Sequence, residues 1–299
     1  MNDLVLYCKS YQKDFLRLKR LLTSISKFNA DQLPFYISTP ASDKALLHEL
    51  LGTQGYSWVS DESIVSANSK VNLHQYQVIP GGISQAIVKS EFWRLRVSEN
   101  YLCLDSDCVF IRPFYKNDFL TANKTPYTVL HQNKEYFQLA YNRGMSKAVI
   151  NLRNEAKRVQ ALFGREGPLF YYAPAPFIWS AKVWESLDDQ YLRPKGISLW
   201  DLVGPDYPET LIYGEALLKF QAIPLIAIEP IFRVYHYDWQ YFLMRRLGEH
   251  EEKLAHNFLG VLYQSNWESS MRYGLDVKSL PSRVLKQMKQ YSRYLQSYF

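Results

Sequence analysis

Cysteine is scarce in this chain: three in 299 residues, Cys8, Cys103 and Cys108. All three lie in apolar runs, which predicts buried free thiols rather than bridges, and no spacing resembles a zinc site. The start, "MNDLVLYCKS", has no basic region leading into a long apolar one, so no secretory signal is visible. Long hydrophobic runs are also lacking. Stretches such as "AIPLIAIEPIF" are short and broken by Pro and Glu, too short to span a bilayer. These absences point to a reducing, cytoplasmic compartment. There is no internal repeat, low-complexity tract or linker. The basic residues are scattered, without a recognition motif, so no nucleic-acid partner is expected.

What is present is a globular composition, 47% hydrophobic and 21% charged, in a chain long enough to bury a sizeable core. Aromatics are plentiful, with 23 Tyr, 16 Phe and 7 Trp. Such side chains suit grooves that bind sugars or nucleotides, and they equally suit plain core packing. The net charge of +6 fits an anionic partner or simple solubility.

The periodicity alternates. "DLVLYCKS" (3–10) reads as a buried strand. "DFLRLKRLLTSISKF" (14–28) spaces Phe15, Leu18, Leu22 and Ile25 as a helix. "LPFYIST" (33–39) is a strand, "SDKALLHELLG" (42–52) a helix and "YSWVS" (56–60) a strand. Residues 61–81 read as an irregular polar loop, and 83–99 as a helix that feeds the strand "YLCL" (101–104). The series β-α-β-α-β predicts an α/β fold, a mostly parallel sheet flanked by helices. Ligands bind such sheets at the carboxyl ends of strands. Residues 1–240 would form the catalytic domain, and 241–299 a C-terminal helical extension packed on it.

The informative stretch is "YLCLDSDCVFIRPF" (101–114), where an apolar strand runs into Asp105-Ser106-Asp107 and turns apolar again. Two neighbouring carboxylates repel, and a divalent cation removes the conflict. Oxygen-only sites with few protein ligands suit Mg²⁺ or Mn²⁺, which complete their shells with phosphate oxygens and water. An ordinary Asp-rich turn is the competing reading. Lys89, on the preceding helix, could offset phosphate charge or simply be solvated. The helical segment "PETLIYGEALLKF" (208–220) supplies Glu209 and Glu215, either of which could deprotonate an acceptor hydroxyl. Glu209 would also be favoured merely by standing in the first turn of its helix.

"YLCLDSDCVFIRPF" resembles the D-x-D segment of the GT-A glycosyltransferases, the nucleotide-diphosphosugar transferase superfamily. The segment 81–114, with "YYAPAPFIWSAKVWESL" and "PETLIYGEALLKF", is similar to a bacterial group of these enzymes. The resemblance spans about residues 3–240. It implies a GT-A fold and a metal-dependent transfer of sugar from a nucleoside-diphosphate donor to an acceptor hydroxyl, in bacterial or phage surface-glycan synthesis. Asp107 would then bind Mn²⁺ or Mg²⁺, and Asp105 would contact the ribose or metal-bound water. Gln85 and Lys89 would flank the donor pocket, and Lys9, Ser10 and Tyr11 would occupy the base site. His236, in "VYHYDW", would complete the metal shell. The absence of an H-x-x-G-x-x-K-P-W ending departs from one large retaining family.

Two other readings stand beside this one. A haloacid-dehalogenase-type phosphohydrolase would use Asp105 as nucleophile and "SLDDQ" (186–190) as its later acid pair. A non-catalytic glycan- or nucleotide-binding protein would carry the same residues. At the far end, Val284, Met288, Tyr291, Leu295 and Tyr298 form a stripe at helical spacing, edged by Arg283, Lys286, Lys289 and Arg293. Acceptors of bacterial glycan transferases are commonly lipid-linked. Segment 280–299 could therefore touch an inner membrane face peripherally, or pack on the protein.

Overall fold

In the computed structural model, the structure describes residues 2–71, 73–142, 144, 146–172 and 175–264, with isolated positions 284, 285, 288 and 292. The proposed amphipathic helix at 280–299 lies outside the described residues, apart from those isolated positions.

The central sheet holds β1 (Asn2–Lys9), β2 (Phe35–Thr39), β3 (Ser57–Ser60), β4 (Ser98–Leu104) and β7 (Phe177–Ser180), in the order β3-β2-β1-β4-β7. The first four are parallel, and β7 closes the edge antiparallel to β4. The remaining strands lie outside this sheet. β5 (Cys108–Phe110), β9 (Phe232–Tyr235) and β10 (Gly260–Tyr263) form a second sheet in the order β5-β10-β9, and β6 (Thr128–Val129) pairs with β8 (Ala227–Ile228). The fold is α/β, mixed and helix-flanked.

The unbroken apolar runs of β1 and β4 explain their central positions. Leu4 to Cys8 and Tyr101 to Leu104 are all buried, as expected for strands covered on both faces. Helix Phe15–Phe28 lays its stripe on one face, and Phe15, Leu18, Leu22 and Ile25 are buried as their spacing predicts. On the sheet the Tyr7 and Phe92 rings stack with centroids 3.8 Å apart. Trp179 and Trp184 meet edge to face at 5.2 Å, and both belong to this core rather than to a binding groove.

Three expectations need correction. Residues 61–81 contain two helices, Asp61–Ser66 and Leu73–Val78. The Ser60 side chain accepts the Ser63 amide hydrogen at 3.0 Å, which starts the first of them. The helix expected over 83–99 ends at Glu91, passes through a tight turn at Phe92–Leu95 and becomes β4 at Ser98. Beyond residue 240 the chain adds a strand as well as helices. After Asp238–Arg246 and Glu251–Leu254, β10 runs between β5 and β9, so residues on both sides of 240 share one sheet.

Candidate active site

The carboxyl edge of the central sheet collects polar residues from four strands. Register places Cys8 of β1 opposite Leu104 of β4, and Lys9 opposite Ser38 of β2. β3 ends at Ser60, and Asp61 follows. Lys9, Asp61 and Asp105 therefore stand along one rim.

The D-x-D forms the turn that carries β4 into β5. The Cys108 amide donates to the Asp105 carbonyl at 3.0 Å, which reverses the chain, and the Asp107 carbonyl accepts from the Tyr263 amide at 3.1 Å. Asp107 is 5% exposed. The Asp105 side chain is more open, at 29%. Burial, reinforced by these carboxylates, pushes the Cys8 and Cys108 thiols up, so they stay protonated and are not nucleophiles.

Lys89 reaches the rim from helix Gly81–Glu91 and forms an ion pair with Asp105. Burial disfavours its charge, but Asp105 and then other acids, Glu209 among them, hold its pKa above the ordinary lysine value. The Lys89 ammonium lies 6.0 Å from the centre of the Phe177 ring. Gln85, one turn earlier on the helix, is half-buried.

Glu209 opens helix Glu209–Phe220 behind Pro208, where the helix dipole favours a carboxylate. Burial raises its pKa, and the charge of Lys89 works against that rise. Asp105, Lys89 and Glu209 thus interact as one acid-base-acid group. Glu215 is elsewhere engaged: it is 2% exposed and clamped by Arg165 through both of its oxygens, with Nη2 to Oε1 at 2.8 Å. The structure brings Glu209 to Lys89 and ties Glu215 to Arg165.

The base-site candidates lie at the end of β1. The Lys9 ammonium is 3.1 Å from Asp61 and donates to the Ser10 carbonyl at 2.9 Å. Tyr11, 39% exposed, has its ring centre 5.9 Å from that ammonium. Asp61 was not foreseen. It is fully buried, also accepts from the Tyr76 hydroxyl at 3.1 Å, and is raised by desolvation against the pull of Lys9. Its signal was present, because "SWVSD" runs from strand into acid just as "YLCLD" does. Asp14 was missed for a different reason. It opens the helix after β1 and pairs with Arg17 at 2.5 Å, an arrangement that reads as ordinary helix chemistry, yet it senses the charge of Asp105.

His236 follows β9 and lines a cavity of about 590 Å³ with His131 and Arg233. Its ring centre is 4.8 Å from that of Tyr136. Burial, then the charges of Arg233 and His131, pushes its pKa down to about 4. Among the described residues no group of three or more His, Cys, Asp or Glu is arranged to hold a metal ion, so Asp105, Asp107 and His236 are not gathered as one such set. The adjacent Asp105 and Asp107 are hard oxygen donors, the type suited to Mg²⁺ or Mn²⁺ that takes its other ligands from phosphate and water. The acids of "SLDDQ" are held by arginines: Asp188 by Arg94 at 3.5 Å and Arg193 at 3.3 Å, and Asp189 by Arg193 at 2.8 Å. Among the described residues no helix is long and apolar enough to cross a membrane.

Comparison with known proteins fits this architecture. Residues 3–252 match the model of the family of unknown function DUF6492, and the chain belongs to that family. No curated protein matches in sequence. Two solved structures of the galactosyltransferase LgtC share the fold. One is an active-site mutant, 11% identical with a TM-score of 0.53, covering 95% of this chain and 94% of that one. The other, LgtC in complex with donor and acceptor sugar analogs, is 10% identical with a TM-score of 0.50 and covers 87% of each chain. At these identities the likeness establishes the fold, a GT-A-like one.

Proposed function

We propose that the chain is a metal-dependent glycosyltransferase that moves a sugar from a nucleoside-diphosphate donor to an acceptor hydroxyl. The observation that carries this reading is the group at the end of β4: a two-acid turn, with a buried lysine and a helix-start glutamate facing it. Asp107 and Asp105 would hold Mn²⁺ or Mg²⁺. Bound there, the metal would supply Lewis-acid neutralisation of the leaving diphosphate.

The chain's own residues would do the rest. Lys89 presents a fixed cation to phosphate oxygens, already desolvated and so at little further cost on binding. Lys9 and Tyr11 take the base and ribose, and Gln85 the donor sugar or phosphate. Glu209, with its raised pKa, accepts the proton of the acceptor hydroxyl if the transfer inverts configuration. Glu215, bound by Arg165, supports the helix that carries Glu209. The acceptor would be a glycan or a lipid-linked glycan, in bacterial or phage surface-glycan synthesis. That work would be done in the cytoplasm, with 280–299 as the contact with the inner membrane face.

A nucleotide-sugar screen by thermal shift, with and without Mn²⁺, tests the reading. One donor should raise the melting temperature only when metal is present, and turnover should release the matching nucleoside diphosphate. No metal-dependent shift with any donor would reject it.

A further inference from the structure

The cavity that receives His236 plays no part in the proposed transfer. Its volume of about 590 Å³ is in the range of small-molecule sites, roughly 300–1,000 Å³. Its charged lining balances, with Lys134 and Arg233 against Glu135 and Glu229. Arg233 is 8% exposed and already satisfied. It donates to Glu135 at 2.8 Å and 2.9 Å, and to Glu249 at 3.0 Å and 3.1 Å. Lys134 is exposed, and Glu135 and Glu229 offset the two cations of the lining, so this wall gives an anionic ligand no net positive charge.

The wall instead offers an aromatic face and polar groups. The Tyr136 ring is held in place by its hydroxyl contact with Tyr237 at 3.2 Å and by the neighbouring His236 ring. Glu229 stands exposed on the rim. The His131 Nδ1 accepts the Asn133 amide hydrogen at 3.1 Å, which leaves the ring proton on Nε2. A fixed aromatic ring beside carboxylate and imidazole groups is the chemistry that holds a sugar, whose C–H face is apolar and whose hydroxyls both donate and accept.

Two chains of packed residues connect the cavity wall to the acid pair. Its lining residue Pro176 leads into Phe177, which registers with Cys103 and lies 6.0 Å from the ammonium that pairs with Asp105. On another side the lining residue Phe232 packs edge-on to Phe110, at 5.1 Å, three residues after Asp107.

We propose that this cavity is a saccharide subsite that takes an uncharged sugar of the acceptor, its ring face on Tyr136 and its hydroxyls on Glu229 and His236. The word acceptor rests on the glycosyltransferase reading above; the sugar-binding claim does not. The test uses the full chain and no turnover. Uncharged mono- and disaccharides are titrated into the millimolar range by ligand-observed NMR, and uronic acids and, with Mg²⁺ present, nucleoside diphosphates are titrated separately.

Uncharged sugars should bind in preference to uronic acids. Tyr136→Ala and Glu229→Gln should each weaken that binding at least fivefold and leave nucleoside-diphosphate binding unchanged. Glu229→Gln changes one exposed oxygen, so it retains the fold if Tyr136→Ala does not. If nucleoside diphosphates bind but no uncharged sugar does, or if both variants bind sugar like the wild type, the subsite is overturned and the donor reading stands. If sugars bind as described but no nucleoside diphosphate does, the subsite stands and the donor reading falls.

Discussion

The Lys89 ammonium and the Asp105 carboxylate, 16 residues apart, meet where a helix ends and a strand ends, and Glu209 approaches the same ammonium from a third element. Removing the cation should therefore act on both acids. Lys89→Met retains the buried stem and should weaken nucleoside-diphosphate binding by at least tenfold. It also removes what opposes the rise of the Glu209 pKa, so the acid limb of the pH–rate profile should move to higher pH. A tenfold affinity loss with an unmoved acid limb would exclude Glu209 as the base.

Asp107 is buried in the turn, and its backbone carbonyl is held by Tyr263. Asp107→Asn preserves that backbone bond and the side-chain shape while removing the charge. Under the proposed function it should abolish the Mn²⁺-dependent part of donor binding, with circular dichroism unchanged. Isothermal titration with and without Mn²⁺ checks this. Wild-type metal dependence in the variant would move the metal site elsewhere.

Glu215 and Arg165 are a partly buried pair, with side chains 2% and 14% exposed. Removing one partner strands a buried charge, which typically costs about 3–5 kcal/mol. Arg165→Ala should lower the urea midpoint accordingly, and Arg165→Met with Glu215→Leu should recover most of that loss. If Glu215→Gln instead leaves stability intact and abolishes turnover, Glu215 has a chemical role after all.

His236 sets a pH window. Its folded pKa of about 4 lies below the ordinary 6.5. Between those values the unfolded chain takes up a proton that the folded chain refuses, so stability falls as pH drops from about 6.5 to about 4 and this loss is complete below. Glu209, whose pKa is raised, acts in the opposite direction. The informative quantity is the difference between the wild type and His236→Gln. That difference should change across the window and be flat above pH 7. A constant difference from pH 4 to 7 would mean His236 is solvated.

Much of the scaffold was legible because its signals are local. The helix stripe from Phe15 to Ile25 and the apolar runs of β1 and β4 each declare their burial within a few residues. The turn at Asp105–Asp107 was legible for the same reason, since an acid pair after a buried strand must leave the apolar sheet. What was missed depends on distant partners. Nothing near Glu215 announces that Arg165, 50 residues earlier, will clamp it. Nothing near Lys9 announces Asp61. His236 had a plausible neighbourhood by chain position, yet the turn after β9 carries it into a cavity wall with His131. The helix at Asp61–Ser66 is a different kind of miss: its Ser60 cap and first-turn Asp61 and Glu62 were readable, and the polar composition hid them.

The insertion of β10 between β5 and β9 has a consequence for biosynthesis. The first four central strands and their helices are complete by residue 104, with short connections, so they can condense early as the chain leaves the ribosome. The turn at Asp105–Asp107 cannot. Among the described residues its strand β5 pairs with β10 alone, and the carbonyl of Asp107 waits for the amide of Tyr263. A nascent chain interrupted before that point would own a folded sheet and an unfinished rim, so under the proposed function metal capture would be withheld until synthesis has passed residue 263.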